Sequence, residues 1–275
     1  MKSLLILLVI LSVGCVYAGK GDIISEFTLS GQPVSGVRGL AYDPSDGNIW
    51  AAGPNAVNDV IFAKFDIVTH EIVQNWQNVQ SQYWVFDIGW KYKYNGIDCL
   101  VMVDQNLPRI RLINPSDGSF MGYLPDSFNG GYDEGMEGDY DNNWGVTLYS
   151  TNYSYEFIMK WNGSSWADWG PTLYPVMGCA YGWAHVFFIH TSPTYQIRSI
   201  KTSDGFIEED IPLKNWGTCY MVGLSRGRDN YYNTEDTLFV ACFYPANVIR
   251  EVSIGNYNQT DITPTSVGSI KSMFK

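Results

Sequence analysis

Two stretches of the chain alternate apolar and polar residues around the same turn: "RIRLINPSDGSF" at 109–120 and "QIRSIKTSDGFI" at 196–207. Alternation with a period of two gives a strand one buried face and one wet face. Each stretch therefore reads as strand, Ser-Asp-Gly turn, strand. Between them "FIMKWNGSSWADWG" repeats the pattern around Asn162-Gly163, and before both "FAKFDIVTHEIVQNW" turns at Thr69-His70. Asn-Gly and Asp-Gly pairs signal hairpins, because both central positions of a type I′ turn need positive φ. The turns fall near 70, 117, 162 and 204. That spacing is about 42 to 48 residues, so the two near-copies stand two periods apart.

A second pair of strands is predicted upstream of each hairpin. "VRGLAYDPSDGNIWAAG" (37–53) matches "VFDIGWKYKYNGIDCLVMV" (85–103), followed by "GMEGDYDNNWGVTLYST" (135–151), "VMGCAYGWAHVFFIH" (176–190) and "CYMVGLSRGRDNYYNTEDTLFVACF" (219–243). Each has a strand of small or apolar residues, a polar turn, then a near-continuous apolar strand. Four strands per unit at a period in the forties predict a β-propeller. The fifth unit supplies only three strands, ending at "NVIREVSIG", and "GDIISEFTLS" near the other end has the pattern of the missing fourth. Ring closure by that N-terminal strand leaves no open junction between first and last blades. The expectation is an all-β propeller of five four-stranded blades over 19–262; a sixth blade would need one repeat to be split. The segment 263–275, "TPTSVGSIKSMFK", has no partner among the repeats.

"GLAYDPSDGNIWAA", "IRLINPSDGSFMG" and "MKWNGSSWADWG" resemble the repeats of secreted bacterial propellers related to the NHL, YVTN and gluconolactonase types. The resemblance covers most of the chain but concerns architecture, and propellers host enzymes, lectins and scaffolds alike.

The N-terminus adds a location. "MKS", the apolar run "LLILLVILSVGCV" and "VYA" at 16–18 fit a signal peptide over 1–18, cleaved before Gly19. The rival reading of "SVGC" as a lipidation site at Cys15 is weakened by Ser12 three places before it. A secreted, periplasmic or cell-surface protein is expected, and the run is too short for a transmembrane segment. With 17 Lys and Arg against 28 Asp and Glu, net −11, the charge argues against nucleic acid and anionic membrane as partners. Cys99, Cys179, Cys219 and Cys242 allow three disulfide pairings. Each also sits in an apolar run, where a small buried thiol serves equally well.

Candidate chemistry is sparse. "GLSRG" at 223–227 has the Gly-x-Ser-x-Gly form, but a polar loop and a strand follow it where a nucleophile elbow needs a helix. His185 and His190, five apart on one strand, face opposite ways and cannot share a metal. The acidic stretch "GGYDEGMEGDYDNN" (130–143) is more informative. Aligning the five first strands puts Gly39, Asp87, Glu137, Gly178 and Met221 in one column, so Asp87 and Glu137 become neighbours near the axis, with Asp133 and Glu134 above them. Such hard oxygen ligands could hold Ca²⁺. In gluconolactonase-type propellers the resemblance implies an axial divalent ion that polarises a lactone, although no full ligand set is matched here. Loops entering first strands carry Arg38, Tyr83, Trp84, Tyr132, Tyr174 and Trp216. Aromatic faces beside carboxylates and an arginine can stack a sugar or hold a peptide. The leading expectation is a non-enzymatic binding module for a glycan, a peptide or a protein partner. Its rivals are a Ca²⁺-assisted hydrolase or lactonase at the central channel, and a structural extracellular or envelope component.

Overall fold

The computed structural model describes residues 18–29, 36–54, 60–76, 85–104, 109–128, 134–139, 147–172, 176–191, 194–217, 220–229, 235–244 and 248–257. Strand β1 (Ile23–Thr28) leads into β2 (Gly39–Asp43), β3 (Asn48–Pro54), β4 (Val60–Phe65) and β5 (Ile72–Trp76) of blade 1. Blade 2 holds β6 (Val85–Tyr94), β7 (Ile97–Asp104), β8 (Arg109–Ile113) and β9 (Phe120–Pro125). Blade 3 holds β10 (Gly135–Gly138), β11 (Leu148–Thr151), β12 (Phe157–Trp161) and β13 (Trp166–Pro171). Blade 4 holds β14 (Val176–Gly182), β15 (His185–His190), β16 (Gln196–Lys201) and β17 (Ile207–Pro212), and β18 (Tyr220–Arg226), β19 (Asp236–Tyr244) and β20 (Val248–Gly255) follow. Blade 5 has the order β1-β20-β19-β18, so the N-terminal strand completes it, antiparallel to β20 from Ile23↔Val252 to Thr28↔Val248. The five expected blades and their closure are both present.

The burial pattern explains the two kinds of strand seen in the sequence. Each blade is covered on both faces by its neighbours, so β4 and β14 are buried along their whole length. The outer strands reach the periphery, and β5 and β17 alternate between exposed and partly buried positions. The apolar core is accordingly divided into five clusters, one per blade interface. Phe62, Trp50 and Trp90 fill the blade 1–2 cluster, while Phe65 and Phe239 meet edge-on at 6.4 Å between blades 5 and 1. A phenylalanine buried in such a setting contributes roughly 1.5–3 kcal/mol, which is how sheets without helices hold a ring.

Inner strands β2, β6, β10, β14 and β18 touch in ring order, and several also touch across the axis. So tight a ring demands small residues: a Cβ at Gly223 would stand 2.2 Å from the Arg38 carbonyl oxygen. The hairpin turns differ from the type I′ expectation. At 114–118 the Gly118 N–H donates to the Asn114 carbonyl (2.8 Å) and Gly118 alone is left-handed, with φ 72°. The loop has four residues rather than two, so the residue before the glycine keeps negative φ, and Asp117 instead accepts the Ser119 N–H at 2.9 Å. Asp43–Gly47, Asp66–His70 and Lys201–Gly205 close in the same way. True two-residue turns with paired left-handed positions occur at Asn95-Gly96 and, without glycine, at Trp183-Ala184.

Cys99 and Cys179 are buried free thiols, as the small-hydrophobe reading of their strands allows. Cys242 is disulfide-bonded, with its partner outside the described residues. No helix among the described residues is long and apolar enough to cross a membrane. Residues 1–17 and 263–275 also lie outside the described residues.

Candidate functional site

The two axial carboxylates sit where the column of first strands placed them, and both are fully buried. Asp87 extends from β6 and accepts backbone N–H groups of three other blades: Leu40 through Oδ1, and Met136 and Cys179 through Oδ2, each at 3.3 Å. A fourth N–H, from Ile88 on its own strand, also reaches it. Burial holds its carboxyl well above the usual range, with the nearby Glu137 charge adding to the rise and the N–H bonds opposing it. Glu137 Oε1 accepts the Trp90 N–H at 2.5 Å and the Gly138 N–H at 3.0 Å. Inward-pointing amides of the inner strands have no sheet partner at the centre of the ring, and these side chains satisfy them. Both Asp87 oxygens and Oε1 of Glu137, which could have faced a cation, therefore face amide donors. Among the described residues no group of three or more His, Cys, Asp or Glu side chains converges as a metal site; Asp133 lies outside the described residues.

Glu134 is different. It stands one residue before β10, its N–H donating to the Thr151 carbonyl (2.8 Å) and its carbonyl accepting from Gly178 (3.3 Å). These bonds to blades 3 and 4 fix its backbone at the rim. Its carboxyl accepts the Tyr153 N–H, while burial pushes it up to about 7. Its Oε2 is buried with no hydrogen-bond partner among the described residues. Near it stand Tyr153 and Tyr220, with Tyr195 close to Tyr220, none of which sequence reasoning singled out. Tyr153 follows Asn152, whose Oδ1 accepts the Ser154 N–H at 2.6 Å and so shapes the β11–β12 loop; the Tyr153 ring is 46% exposed. Tyr220, the first residue of β18, is 43% exposed. Burial raises its phenol first, with the charge of Glu134 and the Tyr195 and Tyr153 phenols adding to the rise. Tyr195, before β16, is partly buried against the blade 4–5 core. Tyr155, stacked on Phe128 at 5.0 Å, continues the aromatic surface outward. The signal for this group lay in its position along the chain: all precede or begin a first or third strand, which places them on one face of the ring.

The other rim candidates divide. Arg38 is buried, its N–H bonded to the Ala52 carbonyl at 2.9 Å, and burial lowers the pKa of its guanidinium. Trp216 is 5% exposed within the blade 4–5 core. The Arg250 guanidinium lies 4.9 Å from its ring and donates to its carbonyl at 2.7 Å. Trp216 thus packs a blade interface. Tyr83, Trp84, Tyr132 and Tyr174 lie outside the described residues. Ser225 of the Gly-x-Ser-x-Gly stretch is fully buried within β18, donating to the Arg226 carbonyl at 3.2 Å, with no helix after it among the described residues to lift it into a site.

The fold class is a five-bladed β-propeller. No family model matches the chain, so the resemblance to NHL and YVTN repeats stands at the level of architecture. No curated protein matches it either. Among solved structures it is similar to the glutaminyl cyclase of Myxococcus xanthus, with TM-score 0.56 and 9% identity over 86% of this chain and 100% of that one. It is also similar to a chain of a nidogen/laminin complex, with TM-score 0.54 and 12% identity over 81% of this chain and 77% of that one. Both neighbours are β-propellers; at such identities the likeness shows the fold alone.

Proposed function

We propose that this protein is an exported binding module that presents a glycan, peptide or protein partner with an aromatic and acidic rim. The observation carrying the reading is the group at the mouth of blades 3 to 5: Glu134 with a buried, unsatisfied oxygen, beside the exposed rings of Tyr153 and Tyr220. Ring faces supply apolar contact and a carboxyl supplies orientation, the usual division of labour in a recognition site. The axial carboxylates are engaged by backbone amides and serve the scaffold. A propeller is also a rigid frame, since each blade is wedged between two others, so the rim is held in place before a partner arrives. Export rests on the signal-like first 18 residues.

The test is retention of residues 19–275 on arrays of glycans and peptides, compared with Tyr153→Ala and Tyr220→Ala. A class of ligand retained by the parent and lost by both variants supports the reading. Equal retention by all three, or no retention by any, removes it.

A further inference from the structure

The rim group has a chemistry more specific than adhesion. Its one carboxyl oxygen without a partner is an acceptor, and the side chains of Tyr153 and Tyr220 stand near the carboxyl. Buried acceptors left unsatisfied are uncommon and call for an explanation. A hydroxyl ligand would satisfy the oxygen but brings no charge to pair with the carboxylate. An anion would be repelled by the carboxylate and by a chain with 28 acidic against 17 basic residues. A cation gains from both, since ring faces attract positive charge and a carboxylate accepts its hydrogen bond.

Building on the binding-module reading above, we infer that Glu134, Tyr153 and Tyr220 receive an alkylammonium group, as carried by a lysine side chain or a small primary amine. The Tyr153 N–H already occupies one carboxyl oxygen, which orients the group and leaves Oε2 for the ligand. Oε2 lies beneath the surface, so the two exposed phenol side chains part as the ammonium enters and then lie against its methylenes. A guanidinium is too broad for a site with a single open acceptor, whereas an ammonium is compact.

The site carries its own signature. Glu134 and the Tyr153 and Tyr195 phenols all lie close enough to Tyr220 to raise its phenol, and the Tyr153 N–H reaches the Glu134 carboxyl. Burial leads the rise of Glu134 to about 7, and no charged side chain is among its causes. Near neutrality the free site is thus partly protonated, and only the ionised form accepts an ammonium. Amines of this kind stay protonated up to pH about 10. Affinity should therefore rise about tenfold from pH 6 to pH 8, as the ionised fraction of a group near 7 does, and should level off above that.

The experiment titrates residues 19–275, labelled with ¹³C at tyrosine, with n-butylammonium chloride and with Nα-acetyl-lysine methylamide at pH 6, 7 and 8. Expected are saturable shifts of Tyr153 and Tyr220, tightening about tenfold across that range. In Glu134→Gln, with its fold checked by circular dichroism, the pH dependence should vanish. Stronger binding of the lysine derivative than of butylammonium assigns the source to a peptide; the reverse assigns it to a small amine. Absence of saturable shifts with both probes, or binding that does not change with pH, overturns the inference. If it is overturned while array ligands are still retained through Tyr153 and Tyr220, the binding-module reading survives; if array retention is absent too, both fall.

Discussion

Replacing Asp87 should loosen the whole ring. Its carboxylate takes N–H groups from Leu40, Met136 and Cys179, which belong to three different blades, and no solvent reaches it. In Asp87→Ala these donors lose their acceptor together. A buried polar group left unpaired costs about 1–3 kcal/mol. Three of them, at bonds of 3.3 Å that are long for charged acceptors, should cost about 4 kcal/mol in total once partial relaxation is allowed. Set against a typical domain stability of roughly 5–15 kcal/mol, that is a large share. With a guanidinium m-value of about 5 kcal/mol/M, reasonable for a chain of this size, the midpoint should fall by about 0.8 M. Asp87→Asn should be milder, about 1–3 kcal/mol, because its carbonyl can keep the Met136 and Cys179 donors while its NH₂ opposes the Leu40 N–H. Tryptophan fluorescence during guanidinium unfolding reads the midpoint. Amide exchange at Leu40, Met136 and Cys179 reads the cause. An unchanged midpoint with retained protection in Asp87→Ala would refute the reasoning, since the carboxylate would then not be what satisfies those amides.

Burial lifts Glu134 to about 7, so the folded state holds its proton more tightly than the unfolded chain, where a glutamate titrates near about 4.3. The stability from that proton is complete below the unfolded value and lost as pH rises through about 7. Glu134→Gln should therefore be more stable than the parent at pH 8, by about 2 kcal/mol after discounting for solvent access, with the gap closing near pH 4 in thermal melts. Ala184 is exposed with φ 58°, and Ala184→Gly should stabilise by about 0.5–1 kcal/mol in guanidinium unfolding, because strain relief exceeds the added chain entropy. Millimolar Ca²⁺ should leave the melting temperature of the EDTA-treated protein unchanged, because amide donors already occupy Asp87 and the Oε1 of Glu137; a rise abolished by Glu137→Gln would contradict that. Removal of 19–29 should abolish cooperative unfolding, since β1 is the outer strand of blade 5 and Phe27 packs at 6.0 Å from Phe239.

The architecture was legible because its causes are local and repeated. Alternation marked the outer strands, apolar runs marked the covered ones, and the match of "GDIISEFTLS" to the fourth-strand pattern foretold the pairing of Ile23–Thr28 with β20. Asp87 and Glu137 were placed near the axis by counting along first strands alone. Their partners could not be read that way: the amides of Leu40 and Cys179 come from blades 47 and 92 residues distant in the chain, and which oxygen meets which N–H depends on how the inner strands are staggered. Trp216 illustrates the same limit. Its loop position suggested a rim, but the placement of Arg250 and the blade 4–5 core made it packing.

Asp87 and Glu134 differ in how their surroundings satisfy a buried carboxyl. Both carboxyls are raised mainly by burial, so burial alone does not distinguish them. What differs is the supply of donors. At the centre the inner strands bring several unpaired amides to one side chain, and a carboxylate there completes the scaffold. At the rim the neighbouring strand ends are already bonded, as Glu134 N–H to Thr151 and Gly178 N–H to the Glu134 carbonyl show, and a single N–H is left for the side chain. A carboxyl in that position costs stability when ionised and is under-bonded, two penalties that a cationic ligand removes together. Selection for folding alone would favour glutamine or an apolar residue at 134. The binding role proposed above would account for a glutamate there beside the exposed Tyr153 and Tyr220.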